Sequence, residues 1–196
     1  MSFFFRKGVR HILTGWDHIF FVIGLILAAT DLRNLVKVIT AFTLAHSITL
    51  IITSLDIITV NKPQAVEAVI ALSIAYVGLK NLIRNRTNIR SRWVVAFGFG
   101  LVHGMGFAGA LKEQIGSSLP STFTLLLICL VVFNLGVEAG QLTIISILYP
   151  ALRGLRVRKA SAFQKVFVVG SGLVFLMGIS WFLDRSIMPE KLPWVF

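Results

Sequence analysis

His11, His18, His46 and His103 are the only imidazoles in this chain, and each lies at or within an apolar run. Three of the eight acids, Asp17, Glu67 and Glu138, lie in the same kind of surroundings. An ionisable group inside a hydrocarbon-facing segment is expensive, and it marks a functional site by default. The chain has one cysteine, Cys129, and no array of methionines. Neutral imidazoles with carboxylates then fit a borderline divalent metal, Zn, Ni, Co or Fe, better than Cu(I) or Ca.

Each residue has a blander alternative. His11 and His18 are seven apart, so on an unbroken helix they share a face and stand about 10 Å apart along the axis. That is too far for one metal unless the helix breaks near Gly15. His11 reads equally well as an interfacial residue touching headgroups. Asp17 cannot share the histidine face and is expected to accept a hydrogen bond from an imidazole of a neighbouring helix, fixing its tautomer. His46 shares a polar face with Thr43 and Ser47; alone, it would read as a structural histidine bonded to a hydroxyl. His103 is flanked by glycines that open access to it. Asn134, Glu138 and Gln141 recur at i, i+4 and i+7, and a carboxylate on that face must be paired, metal-bound or protonated. Glu67 is shallower and has an interfacial alternative, and Cys129 reads as a small apolar filler. The predicted metal set is His18, His46, His103, Glu138, Asp17 and His11, converging on one pocket in the middle or outer half of a membrane. Ser47, Glu67, Asn134 and Gln141 are its supporting polar groups.

The elements that must position these residues are membrane spans. Of 196 residues 56% are hydrophobic and 14% charged, with a mean hydropathy of +0.86; a soluble domain carries about a quarter charged residues. The expected fold is an all-α, polytopic transmembrane helical bundle, a single integral membrane domain over residues 1–196. The net charge of +11 sits in short connections between apolar runs. Its expected partners are therefore membrane lipids with anionic headgroups, not nucleic acid. Six runs approach the ~20 residues a span requires: 12–30, 35–55, 64–83, 93–112, 121–149 and 164–183. The connections between them carry loop punctuation, including Tyr149-Pro150. Gly15 interrupts the first run, so its opening turn reads as re-entrant or interfacial; the long fifth run reads as tilted or irregular at one end. The tail after Leu183 is expected along the interface, and no secretory cleavage site stands out near the start.

Twelve Lys and Arg follow spans one, three and five, and seven lie on the opposite side. The excess marks the cytoplasmic face and puts both termini outside, in the inner (cytoplasmic) bacterial membrane. Arg6, Lys7 and Arg10 run against that assignment. Gly100 with Gly104, and Gly136 with Gly140, form G-x-x-x-G spacings that permit close helix approach. Spans four and five are expected to pack directly on each other through them.

The pattern H-x5-D-H at His11 to His18 resembles the first signature of the HupE/UreJ membrane proteins. The similarity extends through Leu44 to Leu50 around His46 and Ser47, Val66 to Ser73, Phe97 to Ala108 around His103, and Phe133 to Gln141, in the family order. Val102, Phe107 and Ala110 stand where the hydrogenase-linked branch carries Phe, His and Glu, so the chain is similar to the second branch. The resemblance implies an accessory membrane protein of hydrogenase or urease systems, of a kind proposed to be a nickel permease, with a metalloenzyme or periplasmic partner. Three functions follow as expectations. The first is a divalent-cation permease, with Zn or Ni as the metal. The second is an intramembrane zinc hydrolase acting on a lipid-like substrate, with Ser47 or Glu138 in proton transfer. The third is a non-catalytic protein that hands metal to a partner.

Overall fold

The computed structural model describes residues 1–83, 89–115 and 123–187, without the side chains of 89–91 and 108–115. The connections expected at 84–88 and 116–120, and most of the tail, lie outside those residues.

The described residues form seven helices: α1 (Ser2–Thr14), α2 (Trp16–Ala28), α3 (Leu32–Ser54), α4 (Pro63–Leu82), α5 (Ile89–Ile115), α6 (Phe123–Arg158) and α7 (Ala160–Ile187). No strand occurs among the described residues. The boundaries have local causes. Asp31 caps α3 by accepting from the Asn34 backbone N–H at 3.0 Å. Pro63 opens α4, where a missing N–H removes no intrahelical bond. Gly15 stands extended between α1 and α2, and the two axes meet at 70°.

The helices α3, α4, α6 and α7 are each long and apolar enough to cross a membrane, and the bent pair α1–α2 is so only when taken together, as a broken span or a re-entrant loop. The expected fourth span coincides with the 27-residue α5, so the predicted order of apolar segments is recovered. Two boundaries differ. A helix already runs from Ser2, ahead of the predicted first span. In addition, α6 continues through Pro150 to Arg158 instead of ending in a loop at Tyr149. Proline removes only one ladder bond, and a long helix packed on its neighbours tolerates that loss.

Packing follows three close pairs: α3 with α5, α4 with α7, and α1 with α6. Glycines set all three: a Cβ on Gly78 would strike the α7 backbone at Phe175 and one on Gly178 the α4 backbone at Ala75, and the other two pairs are not those expected. A Cβ on Gly100 or Gly104 would strike the α3 backbone at Phe42 or His46. One on Gly136 would strike Phe5 of α1, and one on Gly8 would strike Phe133 of α6. Each G-x-x-x-G therefore serves a different neighbour, and α5 does not pack its described backbone on α6. Periodicity reveals that a helix offers a flat face; it does not reveal which partner takes it. Beneath the histidines lies an apolar cluster of Phe21, Phe42, Ile74, Val77 and Val174. Beside them lies another, including Ile12, Phe107, Leu130 and Phe133.

Candidate metal centre

The break at Gly15 does what the spacing of His11 and His18 required. With α1 turned by 70°, the two rings stand 4.4 Å apart, centroid to centroid. The imidazoles of two other helices close in around them. His46 of α3 lies 6.2 Å from His11 and 6.3 Å from His18, and His103 of α5 lies 5.3 Å from His18. All four imidazoles are buried. Ring nitrogens of His11, His18 and His46 lie within 4.8 Å of one another. Zn–N bonds of about 2.0–2.1 Å put two nitrogens of a tetrahedral site roughly 3.4 Å apart, so small ring rotations would close the group.

The hydrogen bonds fix which nitrogens carry lone pairs. Asn134 donates its amide to the Leu130 carbonyl at 2.9 Å, which turns its oxygen to His46 Nδ1 at 3.1 Å. An amide oxygen only accepts, so His46 carries its proton on Nδ1 and leaves Nε2 free. Ser73 spends its one hydroxyl proton on the Ile70 carbonyl at 2.6 Å. His103 Nε2, 3.1 Å from Ser73 Oγ, must then be the donor, and its Nδ1 keeps the lone pair. His46 Nε2, His103 Nδ1, His18 Nε2 and both ring nitrogens of His11 are buried without a hydrogen-bond partner. Buried polar atoms in native folds are rarely left so, and five of them in one cluster fit a shared ligand.

The remaining predicted residues have other company. Asp17 does not accept from an imidazole. Both of its oxygens accept from Nη2 of Arg185 of α7, at 2.9 and 3.2 Å. Arg185 is itself buried and donates on to the Glu67 carbonyl at 3.0 Å. A carboxylate at the N-terminus of α2 is better matched by a guanidinium than by a neutral ring. Glu67 is half-buried, with Oε2 unpartnered. Glu138 accepts from Thr40 at 2.8 Å and Gln141 from Thr43 at 2.8 Å, so the polar face of α6 meets α3 along its length. Neither belongs to the close histidine group. Ser47 donates to the Thr43 carbonyl at 2.7 Å.

A cavity of about 410 Å³ reaches this cluster from the end of the bundle where α2 begins. His11, His18 and His103 line it, with Asp17, Glu67, Asp184 and Arg185. Among the described residues, three carboxylates and one guanidinium give that lining a formal charge of −2 in a chain of +11. On the other side Phe21 and Phe42, 5.0 Å apart, close the floor, at 5.5 and 5.0 Å from His103.

These arrangements are found in a chain whose residues 1–185 match the family described as HupE / UreJ protein. The chain belongs to the HupE/UreJ family. It is an integral membrane protein of a family of accessory proteins that handle metal for enzymes such as hydrogenase and urease. No curated protein and no solved structure matches it significantly. At the position where the resemblance sets Phe107 in place of a family histidine, the Phe107 ring lies against His11, tilted by 39° with centroids 3.7 Å apart, an apolar wall where another ligand could have stood.

Sequence reasoning missed Arg185, Ser73 and Thr40. Arg185 sits at the end of an apolar run and reads as an ordinary membrane-surface cation. Ser73, a lone serine within the apolar face of α4, was the one legible signal of the three.

Proposed function

We propose that this HupE/UreJ protein is a divalent transition-metal permease whose cation, Zn or Ni, is bound in transit by His11, His18 and His46, with His103 as the fourth imidazole. One observation carries the reading: buried imidazoles with unpartnered nitrogens line a cavity whose described lining is negative in a strongly basic chain. A lining of that sign concentrates cations at its mouth, and neutral imidazoles replace their water. Beyond His46 the polar contacts continue between α3 and α6, through Thr43 and Gln141 to Thr40 and Glu138. They run away from the cavity and offer oxygen ligands for onward movement. Delivery to a metalloenzyme partner would follow release.

The hydrolase reading is weaker. Ser47 donates to a backbone carbonyl and Glu138 accepts from Thr40, and neither group expected to move protons is hydrogen-bonded to an imidazole. The deciding experiment is uptake of Ni²⁺ or Zn²⁺ by proteoliposomes, with bound metal measured on the same preparation. Saturable uptake that His46→Ala abolishes supports the permease. Metal bound at stoichiometry with no uptake in either direction would leave only the accessory or enzymatic readings.

A further inference from the structure

The end of the bundle opposite the histidines holds two open troughs, of about 210 and 270 Å³, that diverge from one ledge. Both are lined by Ala28, Thr30, Lys80, Asn81 and Arg92. From there one trough runs under Leu25, Val38 and Phe99 to Phe21. The other runs along Leu27 of α2 and Phe163 and Phe167 of α7, and includes Arg156 and Gln164. Among the described residues, the ledge thus gathers Lys80, Arg92 and Arg156 with one acid, Asp31. Asp31 already caps α3. The guanidinium of Arg156 sits on the end of α2, donating to the Ala29 and Leu27 carbonyls at 2.8 and 3.2 Å, with Phe163 beneath it at 4.3 Å. Arg92 donates to Ala28 at 3.1 Å. The half-charge of a helix C-terminus faces these guanidinium groups, and Lys80, whose ammonium stands over the Tyr76 ring at 5.6 Å, is the basic group on the ledge that an anion can pair.

We propose that this ledge and its two troughs bind one two-chain anionic phospholipid. Its phosphodiester lies on the ledge beside Lys80, and one acyl chain enters each trough. Two apolar channels meeting at one basic point match that molecule's shape, and basic pockets between spans on the positively charged face are where such headgroups bind. A divalent cation is the wrong occupant, because it would meet three positive side chains. The chain in the first trough would end against Phe21, whose other side faces His103, so the lipid would buttress the floor of the histidine site.

Native mass spectrometry and thermal unfolding of the full-length protein, delipidated in neutral detergent, test this. The additives are phosphatidylglycerol, phosphatidylcholine with the same chains, and glycerol 3-phosphate. Phosphatidylglycerol should be retained at one copy and raise the Tm, and the other two should do neither. Lys80→Glu should weaken retention by at least about five-fold, the effect of one basic charge at an anionic headgroup, and Lys80→Arg should restore it. Equal stabilisation by phosphatidylcholine overturns the proposal, as does an equal effect of glycerol 3-phosphate, which would mean a free phosphate site. Retention unchanged in Lys80→Glu with unchanged helix content also overturns it. None of these readouts depends on metal transport.

Discussion

Two of the four imidazoles, His46 and His103, are held in one protonation pattern by neighbouring side chains. Asn134 keeps the proton of His46 on Nδ1, and Ser73 keeps that of His103 on Nε2. Losing such an orienting bond lowers metal affinity about 10- to 100-fold. Asn134→Leu and Ser73→Ala should each do so while the protein still inserts, as titration of Ni²⁺ or Zn²⁺ against the purified variants would register. Affinities equal to wild type would mean that the two rings do not serve the metal. Ligation also requires neutral imidazoles, so bound metal should fall as pH is lowered and return when pH is raised. An acid-insensitive metal content would point to carboxylate ligands instead. At this scale the histidines were legible because an ionisable side chain in an apolar run is costly to insert and persists where it serves a site. Their partners were not. Asp17 could have served an imidazole or a guanidinium equally well, and its partner lies 168 residues away on α7.

The element that decides the geometry is the short α1, which carries His11 and reaches the site only because the chain turns at Gly15. A Cβ at Gly15 would press on the His11 carbonyl and on His18 Nδ1, so Gly15→Ala should weaken metal binding through two ligands at once. The position of α1 depends equally on its close approach to α6. Gly136→Leu should push α1 away at Phe5 and Val9 and mimic His11→Ala in metal affinity. Gly104→Leu should part α5 from α3 and disturb His46 and His103 instead. Over-packing of this kind costs about 1–3 kcal/mol or more. Metal titration of the two glycine variants, each combined with His11→Ala, separates the cases. If Gly136→Leu lowers affinity further in the His11→Ala background, α1 is not the part it moves. Span order and type were readable from hydropathy and glycine spacing. The helix pairing was not, since a G-x-x-x-G face fits any helix with an equally open backbone.

Across the whole molecule, charge is sorted by end. The cavity with its three carboxylates opens where α2 begins, and Arg92 and Arg156 cap the carbonyls where α2 finishes. Lys80, at the end of α4, and Arg158, at the end of α6, belong to that second end. The excess of basic residues predicts it to be cytoplasmic, which would give the negative cavity to the outside and make the proposed transport inward. Thiol accessibility in intact cells can decide this, because the sole native cysteine, Cys129, is buried. A membrane-impermeant maleimide should label Asp184→Cys, at the cavity, without permeabilisation. Lys159→Cys, in the exposed turn between α6 and α7, should react only after the membrane is opened. Arg6, Lys7 and Arg10 on α1 oppose this orientation, but they lie on a helix bent out of the line of α2 and can rest at an anionic surface on either side. The reverse labelling pattern would invert the protein. The same histidine site would then face the cytoplasm and gather cations for export, with the phospholipid ledge in the outer leaflet.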